Sequence, residues 1–483
     1  LSLIINGITN FIITLMKSCL EILNMGDFAM KIAVIGGGGV RSIFLAKSIA
    51  SRAEELKIDR LVFMDNDEKK LNIYGVMAKK TAGLICPPLN FEITTDAEYA
   101  VKDADYVITT IRVGGDDMRV KDERIALNMG VLGQETTGAA GISFAMRSIS
   151  ALAEYCELIK KHAKKGCKVF NFTNPAGVVS QTLRDMGYDF TYGICDAPSG
   201  MLRSFEKLYG AKEGSAEGEI YGLNHLSYFT SIKIGGKEMM NEIIENDEAY
   251  EKTDLRYFEK DLLKNRNAVL NEYLYYFYYR EKALANILKA EKTRGEQIAE
   301  INKHMTAELE KIDIENDFET ALKIFEHWYG ERENNYMASE TGIKRKEPWK
   351  FDMFGKDDGG YAGVALKFIE IALSGKTSSM ILCVPNGGAI EGLREDDVVE
   401  ITCDIDKNGA APHRFGKVDE QNLELIRRVK NYERLASEAI RNKSREKAID
   451  ALTLHPLVNS YSLAKALTDK YLEHNKDYIG EWN

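Results

Sequence analysis

The sequence predicts an α/β protein: an N-terminal Rossmann-like, doubly wound parallel sheet, followed by an α-rich mixed α/β part. Three observations predict it. Short apolar runs alternate with helical spacing up to about residue 200. The first run ends on four consecutive glycines, Gly36 to Gly39. Each later run stops at a polar or special residue, as strands do when their carboxyl ends share one ligand-binding crevice.

In chain order, Lys31–Ile35 is the first expected strand, and helical spacing continues through Ile43, Leu45 and Ile49. Leu61–Met64 is the second and stops at Asp65; Tyr106–Ile111 is the third and stops at Arg112. Lys168–Phe170 runs into Asn171-Phe172-Thr173-Asn174-Pro175, and Tyr192–Ile194 ends at Cys195-Asp196. These strands place a nucleotide-binding domain at 30–200 and a substrate, metal and oligomerisation domain at 201–483. The second part is charged and helical over 255–330, with a strand pair at Met380–Val384 and Val398–Cys403 and amphipathic helices from Gln421 onward.

Residues 1–29 precede Met30 and carry an apolar stretch broken by Asn10 and Lys17, too short to span a bilayer. They read as an upstream extension outside the fold, a surface or partner helix being the alternative. With 45% apolar and 29% charged side chains, the 483 residues can build sizeable cores. The net charge of −10 argues against a nucleic-acid partner, and the lack of a long apolar run against a membrane one. Seven scattered cysteines suit a reducing, cytoplasmic setting.

The glycine run supplies the first two positions of G-x-G-x-x-G in Gly36 and Gly38, while the third is Arg41. Asp65, 26 residues beyond Gly39, is placed to accept ribose hydroxyls, which favours NAD over NADP. Nucleotide contacts are expected from Gly36, Gly37, Gly38, Asp65 and Thr110; a glycine turn capping a helix is the bland alternative.

Four further stretches look chemical. Arg112-Val113-Gly114-Gly115, with Arg119 and Gly133-Gln134-Glu135-Thr136-Thr137-Gly138 downstream, suits an oxyanion, unless Arg112 only pairs with Asp116 or Asp117. Asn171 to Gly177 offers amides to a sugar hydroxyl or forms a plain turn. Cys195 and His225, 30 residues apart, are two metal-ligand types or two core residues. Asn271 to Tyr279 is an aromatic cluster inside a helical stretch, commonly packing. Cys403 and His413 read as structural.

Taken together and in order, the glycine strand end, IRVGG, GQETTG, NFTNPAG, CDAP, GLNH and YLYYFYY resemble glycoside hydrolase family 4. Gly387-Gly388-Ala389-Ile390 and Leu454-His455-Pro456-Leu457 extend the likeness toward the C-terminus. The resemblance implies hydrolysis of 6-phosphoglycosides, closest to the 6-phospho-β-glucosidases, with bound NAD and a divalent metal, usually manganese. It implies a borrowed hydride: oxidation at C3 acidifies C2, a tyrosinate removes the C2 proton, the aglycone leaves C1, and water and hydride are then returned.

Carried over by position, it makes Cys195 and His225 the metal ligands and Tyr273 the base, with Tyr275 or Tyr276 as fallbacks. Glu135 raises the tyrosine's basicity and Asp196 is the acid for the leaving group. Arg119, Asn174 and Arg294 bind substrate, the last plausibly at the phosphate. Likeness to the family also suggests a homodimer or homotetramer.

Three departures stand out. Gly39-Val40-Arg41-Ser42 replaces the family's first loop, and Asp196 follows the cysteine where β-acting members often have asparagine. Lys356-Asp357-Asp358-Gly359-Gly360-Tyr361 lacks an arginine of the family's RGGxxYS. A 6-phospho-α-glucosidase is therefore the alternative, and a 2-hydroxy-acid dehydrogenase the alternative from another class.

Overall fold

The computed structural model describes residues 30–345, 348–355 and 360–483. The N-terminal extension and the Lys356–Gly359 departure lie outside the described residues. Six strands form the parallel part of the main sheet: β1 (Met30–Ile35), β2 (Ile58–Met64), β3 (Asn90–Thr94), β4 (Tyr106–Thr109), β5 (Lys168–Asn171) and β6 (Thr191–Gly193). Every residue of β1 is buried, as a central strand covered on both faces requires. The order β3-β2-β1-β4-β5-β6 reverses direction between β1 and β4, which opens a crevice at their carboxyl ends. β3, with Asn90, Glu92 and Thr94 on a half-exposed edge, lacks the apolar signal that revealed the other five.

Four strands follow at the start of the C-terminal part: β7 (Ala216–Leu223), β8 (Leu226–Ile234), β9 (Lys237–Glu238) and β10 (Val269–Leu270). They form a small antiparallel sheet. The expected later pair is β11 (Ser378–Pro385) and β12 (Val398–Asp406), antiparallel with Met380 opposite Cys403, and β13 (Gly409–Pro412) continues it. β11 pairs with β6 through Cys383 and Gly193, so the main sheet has nine strands and runs on past residue 200. Three helices, Glu420–Asn442, Arg445–Leu454 and Tyr461–Ile479, close the chain where amphipathic helices were expected.

One buried ion pair locks the helices behind the crevice. Asp122, on helix Gly115–Leu127, takes Arg147 of helix Ala140–His162 at 2.6 Å, with both side chains almost fully buried. Ser143 donates to Asp122 at 2.6 Å, and Asn475 of the last long helix completes the cluster by accepting from Arg147. Removing one partner would leave a guanidinium buried without its counter-charge. Asp122→Ala is therefore expected to cost about 3–5 kcal/mol of stability, read as a lower denaturant midpoint.

Candidate active site

The glycine turn comes first because it shapes the crevice floor. Gly36 has φ +99°, and a Cβ there would lie 2.3 Å from the carbonyl oxygen of Thr110, so strand and turn close only over a glycine. Gly36 and Gly37 both donate to the Met64 carbonyl at 2.8 Å. Gly38 donates to Asp65 Oδ2 at 2.9 Å, and Asp67 donates to Asp65 Oδ1 at 3.0 Å. Burial raises the Asp65 carboxyl while these amides oppose the rise. The five expected nucleotide residues thus meet at the carboxyl ends of β1, β2 and β4. That is the cradle a dinucleotide pyrophosphate and ribose would fill.

Arg41, the departure at the third glycine position, lines a cavity of about 130 Å³ that opens to solvent. The cavity is also lined by Arg112, Arg119, Glu135, Asn174, Tyr273 and Arg294, all singled out in the sequence. Arg112 reaches Glu135 at 2.5 Å and stands 4.0 Å from Asp116, so its main partner is the glutamate. Arg119 bonds Glu123 at 2.9 Å and Glu135 at 3.2 Å. Burial works against ionising Glu135, yet Arg112 and Arg119 outweigh it and hold the carboxyl down at about 2.

Glu123 also receives the Gly295 amide at 2.9 Å, and Arg124 bonds Glu296 at 2.5 Å. Thr293 and Glu296 cap helix Arg294–Leu309 reciprocally. These contacts seat Arg294 at the cavity wall. Its Nη2 donates to the Arg332 carbonyl at 2.8 Å, while its buried Nη1 has no hydrogen-bond partner. Arg332 was not found by sequence reading; its charged helix, Phe318–Asn334, looked like a solvated face. Its buried Nε also lacks a hydrogen bond, and the nearest carboxylate, Glu333, is 3.8 Å away. Burial, then Arg41, push Arg332 down to about 10. Burial likewise lowers Arg294. Five arginines against four glutamates line one cavity, and two of the arginines keep an unmet donor.

The remaining chemistry gathers around Tyr273, which lines this cavity, and His225, which lines a second pocket. His225 occupies the two-residue turn between β7 and β8 with φ +63°, a strained region for a side-chain-bearing residue. Its ring stacks on Tyr273 at 3.8 Å with planes 4° apart, and its Nδ1 meets Thr136 Oγ1 at 3.0 Å. Tyr273 was expected inside a long helix. It lies instead on one 3₁₀ turn, Glu272–Leu274, directly after β10. The reason is local: β10 pairs with β8, Asn271 donates from its amide to the Ser227 carbonyl, and its side chain caps Tyr273 N at 3.0 Å. The tyrosine is thereby tethered to the strand that follows His225. Tyr275 and Tyr276 are buried, Tyr275 against the Glu340 carbonyl at 3.5 Å and Tyr276 against Met337 Sδ at 3.6 Å.

Burial pushes the Tyr273 phenol well above its ordinary value, and Glu272 adds to the rise. Burial takes His225 down to about 3, so its imidazole is neutral, the form a metal ion needs. Burial raises Cys195 well above 9, helped by Glu400 and Asp196, and raises Asp196 against the pull of Arg41. Among the described residues no group of three or more His, Cys, Asp and Glu side chains is placed to hold a metal. Cys195 and His225 fit an ion by donor chemistry: a neutral imidazole, and a thiol whose proton a cation would displace. Two protein donors leave other positions to water and sugar hydroxyls. Cys403 is buried in β12, and His413 bridges Glu219 and Asp404, in keeping with structural roles.

Comparison with known proteins agrees with this geometry. Residues 31–211 match the model of family 4 glycosyl hydrolases, and residues 220–458 match the family 4 glycosyl hydrolase C-terminal domain. The 6-phospho-beta-glucosidase BglT of Thermotoga maritima is 30% identical over 93% of this chain and 99% of its own. A structure of the Thermotoga maritima 6-phospho-beta glucosidase with manganese, NAD+ and glucose-6-phosphate superposes with a TM-score of 0.78 at 28% identity, covering 94% of this chain and all of that one. A 6-phospho-alpha-glucosidase from gut microorganisms with NAD and Mn2+ gives 0.76 at 25% identity, covering 94% and 100%.

Glu400 of β12, absent from the sequence reading, bonds Asn224 at 3.0 Å and Ser227 at 2.8 Å on either side of His225. Burial raises it from 4.5 to about 7. A carboxyl bound more tightly to its proton when folded lends stability that is complete below its unfolded pKa and lost as pH rises through 7. Relative to Glu400→Gln, the unmodified protein is expected to lose about 3 kcal/mol between pH 4.5 and 7.5. Chemical denaturation across that window checks it.

Proposed function

This chain belongs to glycosyl hydrolase family 4, and on that premise we propose that it hydrolyses 6-phospho-β-glucosides, phosphorylated cellobiose-type disaccharides among them. As a 6-phosphoglycosidase of this family it works with NAD and a divalent metal, manganese in the related structures. The observation that carries the reading is the single cavity that Tyr273, stacked on His225, lines together with Arg294, Arg332 and Arg41. The buried guanidiniums of Arg294 and Arg332, each with an unmet donor, suit a phosphate dianion, whose oxygens accept their forked N–H groups. Burial also raises Glu340, which weakens the negative charge opposing them. The linkage rests on the 30% identity to a β-acting relative. Asp196 after the cysteine, together with α-acting relatives at 27% identity over 94% of the chain, favours the 6-phospho-α-glucosidase reading as the second one.

When bound, NAD supplies a hydride acceptor for C3 and the metal, held by Cys195 and His225, an electrophile beside the sugar oxygens. The chain's own residues do the rest. Arg294 and Arg332 anchor the phosphate, and Arg119 and Asn174 orient the ring. Tyr273, whose own proton must leave first because burial holds it on the phenol, acts as the phenolate that takes the C2 proton and later returns it. Asp196, which burial biases toward the protonated form, gives its proton to the departing aglycone oxygen. Glu135, fixed by two arginines, keeps a negative charge in the cavity that Tyr273 lines, where it would favour a proton on the phenolate.

Assays on both anomers of nitrophenyl 6-phosphoglucoside decide the linkage. Activity is expected to vanish after dinucleotide removal and chelation, and to return with NAD and Mn²⁺ without net NADH formation. Turnover that survives both treatments overturns the proposal, and net NADH from a hydroxy acid would point to a dehydrogenase. Tyr273→Phe is expected to lower kcat about 10²–10⁴-fold. Arg294→Ala is expected to raise KM about 10–100-fold, the worth of a hydrogen bond to a charged group.

A further inference from the structure

The hydrogen-bond partner of the Tyr273 hydroxyl is a second tyrosine that sequence reading passed over. Tyr336 Oη donates to Tyr273 Oη at 3.2 Å, and it also lies 3.5 Å from Glu272 Oε1. Both tyrosines line the cavity that holds the arginines. A phenol has one proton to donate, so Tyr336 is shared between two acceptors, one of them the oxygen assigned to receive the C2 proton.

The segment around Tyr336 is built to hold it still. Tyr336 lies between helix Phe318–Asn334 and the short helix Ala338–Thr341. Its neighbour Met337 has φ +57°, the left-handed region that a side chain disfavours, so the surroundings must impose the turn. They do: the amide and hydroxyl of Thr341 donate to the Met337 carbonyl at 3.0 and 2.7 Å, and Tyr276 Oη contacts Met337 Sδ. Gln297 bonds Ser339 at 3.0 Å and ties the turn to the helix that begins at Arg294. The same stretch of chain therefore carries Arg332 at the phosphate wall and, four residues later, the contact to the base.

Stacking on His225 fixes the plane of the Tyr273 ring but not the place of its oxygen within that plane. We propose that Tyr336, braced by Glu272 and the Met337 turn, is a positioning residue that aims the Tyr273 oxygen at C2 of the phosphorylated sugar. The proposal rests on Tyr273 being the base. In the step it serves, the C2–H bond breaks, its proton passes to the Tyr273 phenolate oxygen, the electron pair forms the C1–C2 double bond, and the C1–aglycone bond opens with its pair going to the aglycone oxygen, which takes the Asp196 proton. Tyr336 donates a hydrogen bond throughout and ends with its own proton.

The test uses Tyr336→Phe in the complete enzyme with NAD and Mn²⁺, on whichever nitrophenyl 6-phosphoglucoside anomer is cleaved. The expected result is a 10–100-fold lower kcat, roughly the loss of one hydrogen bond to a developing charge, with KM within about twofold. The isotope effect from deuterium at C2 is expected to rise and that from deuterium at C3 to fall, a split that a general loss of structure does not produce. Unaltered kcat and isotope effects overturn the proposal. Tyr273→Phe separates the two readings: if it still turns over and takes solvent deuterium at C2, the assignment of the base fails. If it is inactive while Tyr336→Phe matches the unmodified enzyme, only the positioning role fails. Should Tyr336→Phe melt before assay temperature, Tyr336→Met, which also lacks the donor, carries the same readout. Partial kcat with a raised C2 isotope effect supports the role, and unmodified values overturn it.

Discussion

Burying a guanidinium is costly unless a carboxylate shares the low-dielectric space, and this molecule arranges five arginines around one cavity. Much of the crevice follows from how that cost is met. Glu135 joins Arg112 to Arg119, and Glu123 joins Arg119 to the amide of Gly295, so one chain of charges bridges the early helix Gly115–Leu127 and the later helix from Arg294. The N-terminal sheet and the C-terminal helices are thus held together by the residues that line the pocket. Arg294 and Arg332 are less completely matched, and the imbalance falls where an anionic ligand would supply the missing acceptors.

The main sheet sets where those charges face. Its order reverses between β1 and β4, so the glycine turn, Thr110, the Asn174 turn and Cys195 all emerge at one edge. The small antiparallel sheet then brings in the remaining chemistry. β7 and β8 hold His225 in a strained turn, β10 adds to β8, and Tyr273 follows two residues after the cap of Asn271. Three strands of the small sheet do for the tyrosine and histidine what the parallel strands do for the nucleotide cradle.

This division explains what the sequence made legible. Apolar parallel strands and the residues at their ends leave a local signature, so five strands and the positions from Gly36 to Cys195 could be read directly. β3 could not, because a half-exposed edge strand with Asn90, Glu92 and Thr94 has no continuous apolar run. Arg332, Tyr336 and Glu400 were missed for another reason. Each comes from a segment whose pattern is ordinary for a solvated helix or a buried strand, and each gains its chemical setting from partners distant in sequence, such as Tyr273 for Tyr336, Asn224 for Glu400 and Arg294 for Arg332. For Arg332 a single signal was present: an Arg-Glu pair near the end of a helix already rich in aromatic residues, which marks a face turned inward. The helical expectation at Asn271–Tyr279 failed because aromatic spacing cannot report a strand only two residues long.

The acids near Cys195 turn the same electrostatic logic around. Glu400, Asp196 and Glu272 all act on a thiol that burial already keeps protonated. Glu272 is itself raised, by burial and then by Asp254. Around the arginines, carboxylates stabilise charge; around the thiol, they oppose it. A site that disfavours a thiolate and holds its histidine neutral has little negative charge of its own, yet gains it readily once a divalent cation is present to displace the thiol proton. The arginine cavity and the cysteine–histidine pair are therefore complementary in what they lack: the first lacks acceptors and the second lacks positive charge. A phosphorylated sugar meets the first need and a divalent metal the second, so the two would reinforce each other's binding across a single substrate.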